Sequence, residues 1–386
     1  MTGDYDVLIL GGGGAGCSAA LHLSLRASRV LLVERGLVGG QATGVNFGGV
    51  RQQGRNPAEL PIARRSLEIW KRLESLVGTD AEFAKTGHLK LARDEAEEAD
   101  LVAYLDVARA HGLSLLMVGR NAIHSEYPWL GPKVVAGSLA PDDGSANPRL
   151  LAPALANAAR VAGAVIREQT EIIGYRRDDT GFVLESRAGE EFRAKVLLNT
   201  AGFWGGAVAA AFGEAVPIQP LSPNMLVTEP IDYFIKPNLG VVGGNVYLRQ
   251  IPRGNVIIGG GYGEADPAAP WSRPLPEPTM RAVDLAVELV PALAGAHVIR
   301  SWSGIDGQMP DRIPVIGESL TTPGLFHAFG FSGHGFQLGP GIGQIMSELI
   351  LDGRTETPLA AFRIDRWRNP PAGDGLDIQS ASGEVR

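Results

Sequence analysis

The sequence predicts an α/β protein: a parallel sheet that opens on a glycine-rich turn, joined to a second, β-rich part of mixed or antiparallel strands. Three observations lead there. First, Asp6-Val7-Leu8-Ile9-Leu10 is short, branched and uncharged after its first residue, as a buried strand is. Gly11-Gly12-Gly13-Gly14-Ala15-Gly16 follows, then a small-residue helix over Cys17–Leu25, a second strand over Arg29–Val33, and Glu34. Second, Ala194 to Gly202 repeats the pattern of an apolar run that ends in a glycine turn. Third, short strand-like runs at Met225–Thr228, Val246–Gln250 and Val256–Gly260 crowd a block from about Val216 to Ile305.

Each part of the opening unit has a mechanical role. Glycines stand at the first, third and sixth places of GxGxxG. Gly11 permits the tight turn, Gly13 lets a pyrophosphate approach the backbone, and Gly16 lets the helix pack on the strand. The helix N-terminus offers unpaired N–H groups and a positive dipole end. Glu34 stands where a carboxylate accepts hydrogen bonds from an adenosine ribose. A lone GxGxxG would be weak, but strand, loop, helix, strand and acid in register make this a Rossmann-like dinucleotide site.

The remaining elements follow in order. The segment Gly36–Gly54 is glycine-rich and mostly uncharged until Arg51, more like a backbone cradle than a surface loop. Helix is expected over Pro57–Val77 from the spacing of Leu60, Ala63, Leu67, Trp70 and Leu73. Phe83–Ala92 reads as a hairpin, and Asp94–His111 as a charged amphipathic helix. A turn at Asp142–Pro148 leads into helix Pro148–Ala162, then strands at Val165–Ile173, Gly181–Arg187 and Phe192–Asn199. Thr279–Leu293 reads as the helix of the second block. Strand Leu325–Phe329 precedes a helix over Pro340–Leu351, which proline starts and Gly353 stops. The tail from Asn369, rich in Pro, Gly and Ser, is expected to be frayed.

Composition narrows the function classes. With 386 residues, two domains are the natural expectation. Charged residues at 20% and apolar residues at 45% suit a globular enzyme. A net charge of −7 gives nucleic-acid binding no electrostatic support. Cys17 is the single cysteine, so no intrachain disulfide or cysteine metal cluster can form. Without a basic leader or an apolar run of membrane-spanning length, a cytoplasmic protein is expected.

Seven segments in order, VLILGGGGAG, VLLVERG, NFGGVRQQ, DDGSANPRLL, VLLNTAGFWG, MPDRIPVIG and GFSGHGFQLGPGIGQ, give the chain a resemblance along nearly its whole length. It resembles the D-amino-acid-oxidase superfamily of FAD amine oxidoreductases, which includes glycine oxidase and sarcosine oxidase. NFGGVRQQGRNPAEL and HGFQLGP are most similar to β-type subunits of opine, hydroxyproline or sarcosine oxidoreductase complexes. The resemblance implies a discontinuous FAD-binding domain over 1–82, 143–215 and 306–368. A substrate-binding domain of mixed/antiparallel sheet would take 83–142 and 216–305, and 369–386 would be a flexible tail. It implies that Gly11, Gly13, Ala15, Gly16, Glu34 and Arg35 hold the ADP half of FAD. The segment Gln41, Ala42, Thr43, Phe47, Gly48, Gly49 and Val50 would pass beneath the pyrophosphate and flavin. Ile172, Ala201, Gly202 and Trp204 would line the adenine pocket, and Gly333, His334, Gly335, Phe336 and Gln337 would lie against the flavin ring.

The reaction implied is hydride transfer from the carbon beside nitrogen to flavin, giving an imine that water hydrolyses. Substrates would be a D-amino acid, opine, hydroxyproline, sarcosine or glycine, with partner subunits carrying electrons onward. A helix N-terminus aimed at the flavin would stabilise negative charge there. Two departures stand out. Asp306 follows Trp302-Ser303-Gly304-Ile305 where the glycine-oxidase pattern has Arg, and Gln337 replaces the lysine of the sarcosine-oxidase pattern. Arg51 and Arg249 remain as candidate carboxylate anchors, with a structural ion pair or solvent exposure as the alternatives. Tyr247 shares a strand face with Arg249, so both line one pocket or both are exposed. His334 is read either as a base or as a loop-fixing residue, and Asp306 as a contact for a cationic substrate group. No cysteine lies near the C-terminal flavin loops, where monomeric sarcosine oxidases attach the cofactor and where this chain has Gly304, so the resemblance implies non-covalent FAD. No lysine follows Lys236, so the oxygen-activating lysine of the sarcosine oxidases has no counterpart on the strand Val256–Gly260, and the resemblance therefore implies a dehydrogenase over a peroxide-forming oxidase. A free-standing oxidase and a non-catalytic flavoprotein subunit are the competing readings, with an NAD enzyme behind them.

Overall fold

Runs such as Val7–Leu10 and Val30–Val33 offer water nothing on either face, so they settle in the middle of a sheet. In the computed structural model, which describes residues 5–367, strand Tyr5–Leu10 lies between Val30–Val33 and Glu191–Asn199, parallel to both. Val165–Arg167 extends this sheet on one side and Leu325–Phe329 on the other, again in parallel. Val315–Glu318 closes one edge in antiparallel fashion, and the hairpin Ile172–Asp178/Gly181–Ser186 joins through Glu191–Asn199. All eight strands come from residues 5–33, 165–199 and 315–329.

Helices Gly14–Ser24, Pro148–Val161 and Gly335–Asp352 pack together over one face of the sheet. Their approach is set by small residues. A Cβ on Gly343 would fall 2.3 Å from the Ser18 Cβ, so only glycine fits at that crossing. The last helix starts at Gly335, not at Pro340, and runs through the proline. An interior proline deletes a backbone donor and crowds the preceding turn. Here the helix Leu60–Lys71 repairs the ladder: Ser66 Oγ donates to the Gln337 carbonyl at 2.5 Å and accepts from Gly341 N–H at 3.0 Å. Trp70 Nε1 also donates to the Gln337 carbonyl at 3.1 Å.

The second sheet has the spatial order Val298–Trp302, Pro223–Pro230, Asn255–Tyr262, Tyr247–Gln250, Asn238–Val241, His88–Ala92, Ala136–Ala140, Leu116–Val118. All its pairs are antiparallel except Asn238–Val241 with His88–Ala92. Leu89, Leu91, Leu239, Leu248 and Ile258 point to one face and make a core with Ala286 and Leu289 of helix Pro276–Leu289.

Several element expectations are corrected. Phe83–Ala92 is not a hairpin: Gly87, at φ +79°, turns the chain, but Ala84 bridges to Ser145, and only His88–Ala92 is a strand. Val165–Ile173 is interrupted because Gln169 takes a positive φ and Glu168 turns to accept the Val38 N–H. The second-block helix ends at Leu289, before Pro291 opens a separate 3-10 turn, since Pro291 holds Val290 out of helical geometry. Helix over 57–77 divides into a 3-10 turn Pro57–Glu59 and helices Leu60–Lys71 and Leu73–Val77. The expected flexible tail, 369–386, lies outside the described residues.

Candidate active site

A cavity of about 1640 Å3 runs from the first glycine turn to the loop at Gly333–Gln337, with the second sheet as its far wall. At one end Gly11, Gly13, Ala15, Glu34, Arg35, Gln41, Ala42 and Thr43 line it, together with Ile172, Ala201, Gly202 and Trp204. Gly11 has φ +110°, and a Cβ there would lie 2.5 Å from the Thr200 carbonyl oxygen. Gly16 is outside the lining and acts behind it: its Cβ would lie 2.0 Å from the Gly11 oxygen. No side chain caps helix Gly14–Ser24, so its N-terminal amides stay available to the cavity, apart from Gly14 N–H, which donates to Thr43 Oγ1 at 3.0 Å. Both Glu34 oxygens accept backbone N–H groups, from Gly12 and from Gly36, each at 2.7 Å. The carboxylate thereby fixes the loop and keeps lone pairs for a ribose. The Arg35 guanidinium stacks 3.9 Å from the Trp204 ring. A bare backbone cradle, open amides and a flanking carboxylate fit the ADP half of FAD.

The segment over 42–50 is tied to the second sheet. Trp302 Nε1 donates to the Val45 carbonyl at 2.7 Å, and Asn46 donates to Ala42 and Thr43 while accepting from Gly48 N–H. Phe47 and Gly49 line the cavity; Gly48 and Val50 do not. Arg249, expected as a carboxylate anchor, is also absent from the lining. It is 6% exposed and donates to the carbonyls of Phe47 at 2.7 Å and Ala146 at 3.3 Å, because its strand face abuts this segment. Burial pulls its guanidinium down to about 10. Tyr247, on that same face, does reach the cavity, its ring set edge-on to Phe47 at 4.9 Å. Gly259 makes the space, since a Cβ there would meet the Tyr247 ring at 2.0 Å. Burial pushes the Tyr247 phenol up.

At the opposite end, Gly333, His334, Gly335, Phe336 and Gln337 line the cavity at the start of helix Gly335–Asp352, which carries no side-chain cap. That helix terminus can place positive potential against a flavin, as the fit requires. The Gln337 amide donates to the Ala63 carbonyl at 2.8 Å, while its buried Oε1 has no partner. Asp306 also lines the cavity, and its carboxylate accepts from Gly307 N–H at 2.8 Å and Gly333 N–H at 2.6 Å, which holds the loop. Burial pushes its carboxyl up.

Four polar side chains missing from the sequence reading complete this end. His334 Nδ1 stands 2.9 Å from the fully buried carboxylate of Glu59. Arg55, also buried, lies behind at 3.9 Å. Burial alone would raise the Glu59 carboxyl, but His334 and Arg55 outweigh it and hold it low. His334 itself is pulled down, first by burial and then by Arg55, against Glu59. On the wall formed by strand His88–Ala92, His88 and Lys90 face the cavity beside Arg51. Burial holds the His88 ring well below its ordinary value, and its Nδ1 pairs with Gln53 Oε1 at 2.8 Å. Alternation along His88-Leu89-Lys90-Leu91 puts His88 and Lys90 on one strand face, a signal present in the sequence.

Sequence and structure comparisons agree with this geometry. The chain is 28% identical to the glycine oxidase of Geobacillus kaustophilus over 374 residues, covering 95% of this chain and 98% of that one. It is 26% identical to the sarcosine oxidase subunit beta of Rhizobium meliloti over 372 residues, covering 94% and 88%. The crystal structure of L-proline dehydrogenase from P. horikoshii superposes with a TM-score of 0.87 at 26% identity, covering 95% and 99%. The family model described as FAD dependent oxidoreductase matches residues 6–349. With that span matched and a cavity suited to the cofactor, the chain belongs to the FAD dependent oxidoreductase family.

Proposed function

We propose that this enzyme oxidises the carbon–nitrogen bond of an amino acid or secondary amine, as the β-type catalytic subunit of a heteromeric dehydrogenase with non-covalent FAD. One observation carries the reading: a single cavity joins the open helix terminus at Gly335 to a wall bearing Arg51 and Tyr247. The chemistry that FAD supplies when bound is acceptance of a hydride from the carbon beside the substrate nitrogen. Residues Gly11, Gly13, Glu34 and Arg35 hold its ADP half, and the segment over 333–337 lies at its ring. Arg51 grips the substrate carboxylate, and Tyr247 bounds the substrate above the ring. His334, oriented by Glu59, fixes the loop and excludes water. The sarcosine oxidase subunit beta named above supports a role within a complex. The membership of the two large sheets supports a division into an FAD-binding domain (1–82, 143–215, 306–368) and a substrate-binding domain (83–142, 216–305), with the short pair Gln219–Leu221/Asp306–Gln308 joining them.

The test is an anaerobic screen of the purified yellow protein against glycine, sarcosine, proline, hydroxyproline, D-amino acids and opines. Bleaching of the visible flavin band by one class is expected, with recolouring faster by an artificial dye than by air. A spectrum indifferent to every amine would overturn the reading, and flavin left on acid-precipitated protein would overturn non-covalent binding.

A further inference from the structure

Resting on the amine-oxidising reading above, we infer that the substrate carries two carboxylates, one held by Arg51 and the second by Lys90. Both side chains converge on Gly54. From the place where a Cβ of Gly54 would stand, Arg51 Nη1 is 3.3 Å away and Lys90 Nζ is 3.4 Å away. Both residues line the cavity, as does Gly54, and neither is fully exposed. Two cations held within about 7 Å of each other repel unless an anion lies beside them. The protein supplies none: among the described residues, neither Arg51 nor Lys90 has a carboxylate within 4.0 Å.

Arg51 Nη1 donates to the neutral Gln53 carbonyl, and the surrounding groups leave the charge of both cations unbalanced. Asp143, behind the loop, spends its oxygens on the Gln52 and Gln53 amides, and burial pushes its carboxyl up. Glu97 on the neighbouring helix is taken by Arg93, and Asp100 is exposed. His88, the nearest titratable group on Lys90's own strand, is held neutral. Tyr104 donates to the Arg55 carbonyl, and Arg55 answers Glu59. An amine with one carboxylate neutralises one of the two cations. A secondary amine with a carboxylate on each arm neutralises both, which selects for that class over sarcosine-like or proline-like amines. Burial, and then Arg51, pull the Lys90 ammonium to about 8, so its grip should weaken as pH rises through that value.

The experiment uses holoenzyme and two unreactive probes in which sulfur replaces the amine nitrogen: thiodiacetate, with two carboxylates, and methylthioacetate, with one. Binding is read by calorimetry and by perturbation of the flavin spectrum for the parent, Lys90→Met and Lys90→Arg. Thiodiacetate should bind the parent more tightly than methylthioacetate. Lys90→Met should lose roughly tenfold or more for thiodiacetate and little for methylthioacetate, as loss of one charge-assisted contact predicts. Lys90→Arg should retain the preference and remove the fall in thiodiacetate affinity above about pH 8. Equal losses for both probes would mean that Lys90 and Arg51 share one carboxylate, and no loss for either would remove Lys90 from the site; both results overturn the inference. Selective loss in an enzyme that no amine bleaches would sustain the two-carboxylate site while refuting amine oxidation.

Discussion

His88 is buried beside Gln53 with its ring held neutral, so the folded chain refuses a proton that the unfolded chain accepts. Its folded value lies below the ordinary 6.5, so stability is intact above that pH and declines as pH falls below it. One such group contributes up to about 1.4 kcal/mol per pH unit. His22, pulled by burial to about 4, acts in the same direction. His88→Asn keeps a donor for Gln53 and removes the titration, so its melting temperature should fall less steeply between about pH 6.5 and pH 5 than that of the parent. At this scale the sequence was readable wherever a role depends on near neighbours. Gly11 and Gly16 declare themselves by spacing within one turn, and Glu34 by closing the strand that follows. Glu59, Arg55 and Lys90 do not, because their meaning comes from His334 and Arg51, which only the fold brings to them.

Among the elements, helix Gly335–Asp352 shows how a local rule is overridden. Proline in a helix interior costs roughly 3 kcal/mol, and that rule placed the helix start at Pro340. Ser66 and Trp70, one turn apart on helix Leu60–Lys71, take up the displaced backbone groups, and nothing in the sequence near Pro340 signals them. Ser66→Ala leaves the Gly341 N–H buried without an acceptor. It should cost about 1–3 kcal/mol, read as a lowered thermal midpoint of the holoprotein. The hairpin expected at Phe83–Ala92 failed for a related reason. The strand's partners, Asn238–Val241 and Ala136–Ala140, lie far along the chain, and turn chemistry at Gly87 cannot reveal them.

In the whole molecule, the cofactor segment over 42–50 is fixed from the opposite sheet. Arg249 and Trp302 donate to the carbonyls of Phe47 and Val45, and Asn238 donates to the Gly144 carbonyl at 2.6 Å. Arg249→Met should therefore raise the dissociation constant for FAD roughly tenfold or more, in proportion to the buried charged donor removed. With FAD saturating, the substrate KM should stay near that of the parent, whereas an anchoring arginine would raise it. The α/β class and the mixed second sheet were legible from apolar runs and glycine turns. The order of strands was not, since it is decided by which faces find cover.

The way the two sheets interleave along the chain also sets the order in which they are completed. The first sheet begins with Tyr5–Leu10 but needs Leu325–Phe329 beside Glu191–Asn199. The second begins with His88–Ala92 but needs Asn238–Val241 against it, and Val298–Trp302 at its edge. A ribosome releasing this chain from its N-terminus exposes half-built edges of both sheets at once, and neither can close until the last quarter of the polypeptide has emerged. Contacts of such long sequence separation form slowly. The cavity, walled by both sheets, is completed only when 333–337 has emerged, and a chain cut before residue 325 lacks the end of the cavity formed by that segment.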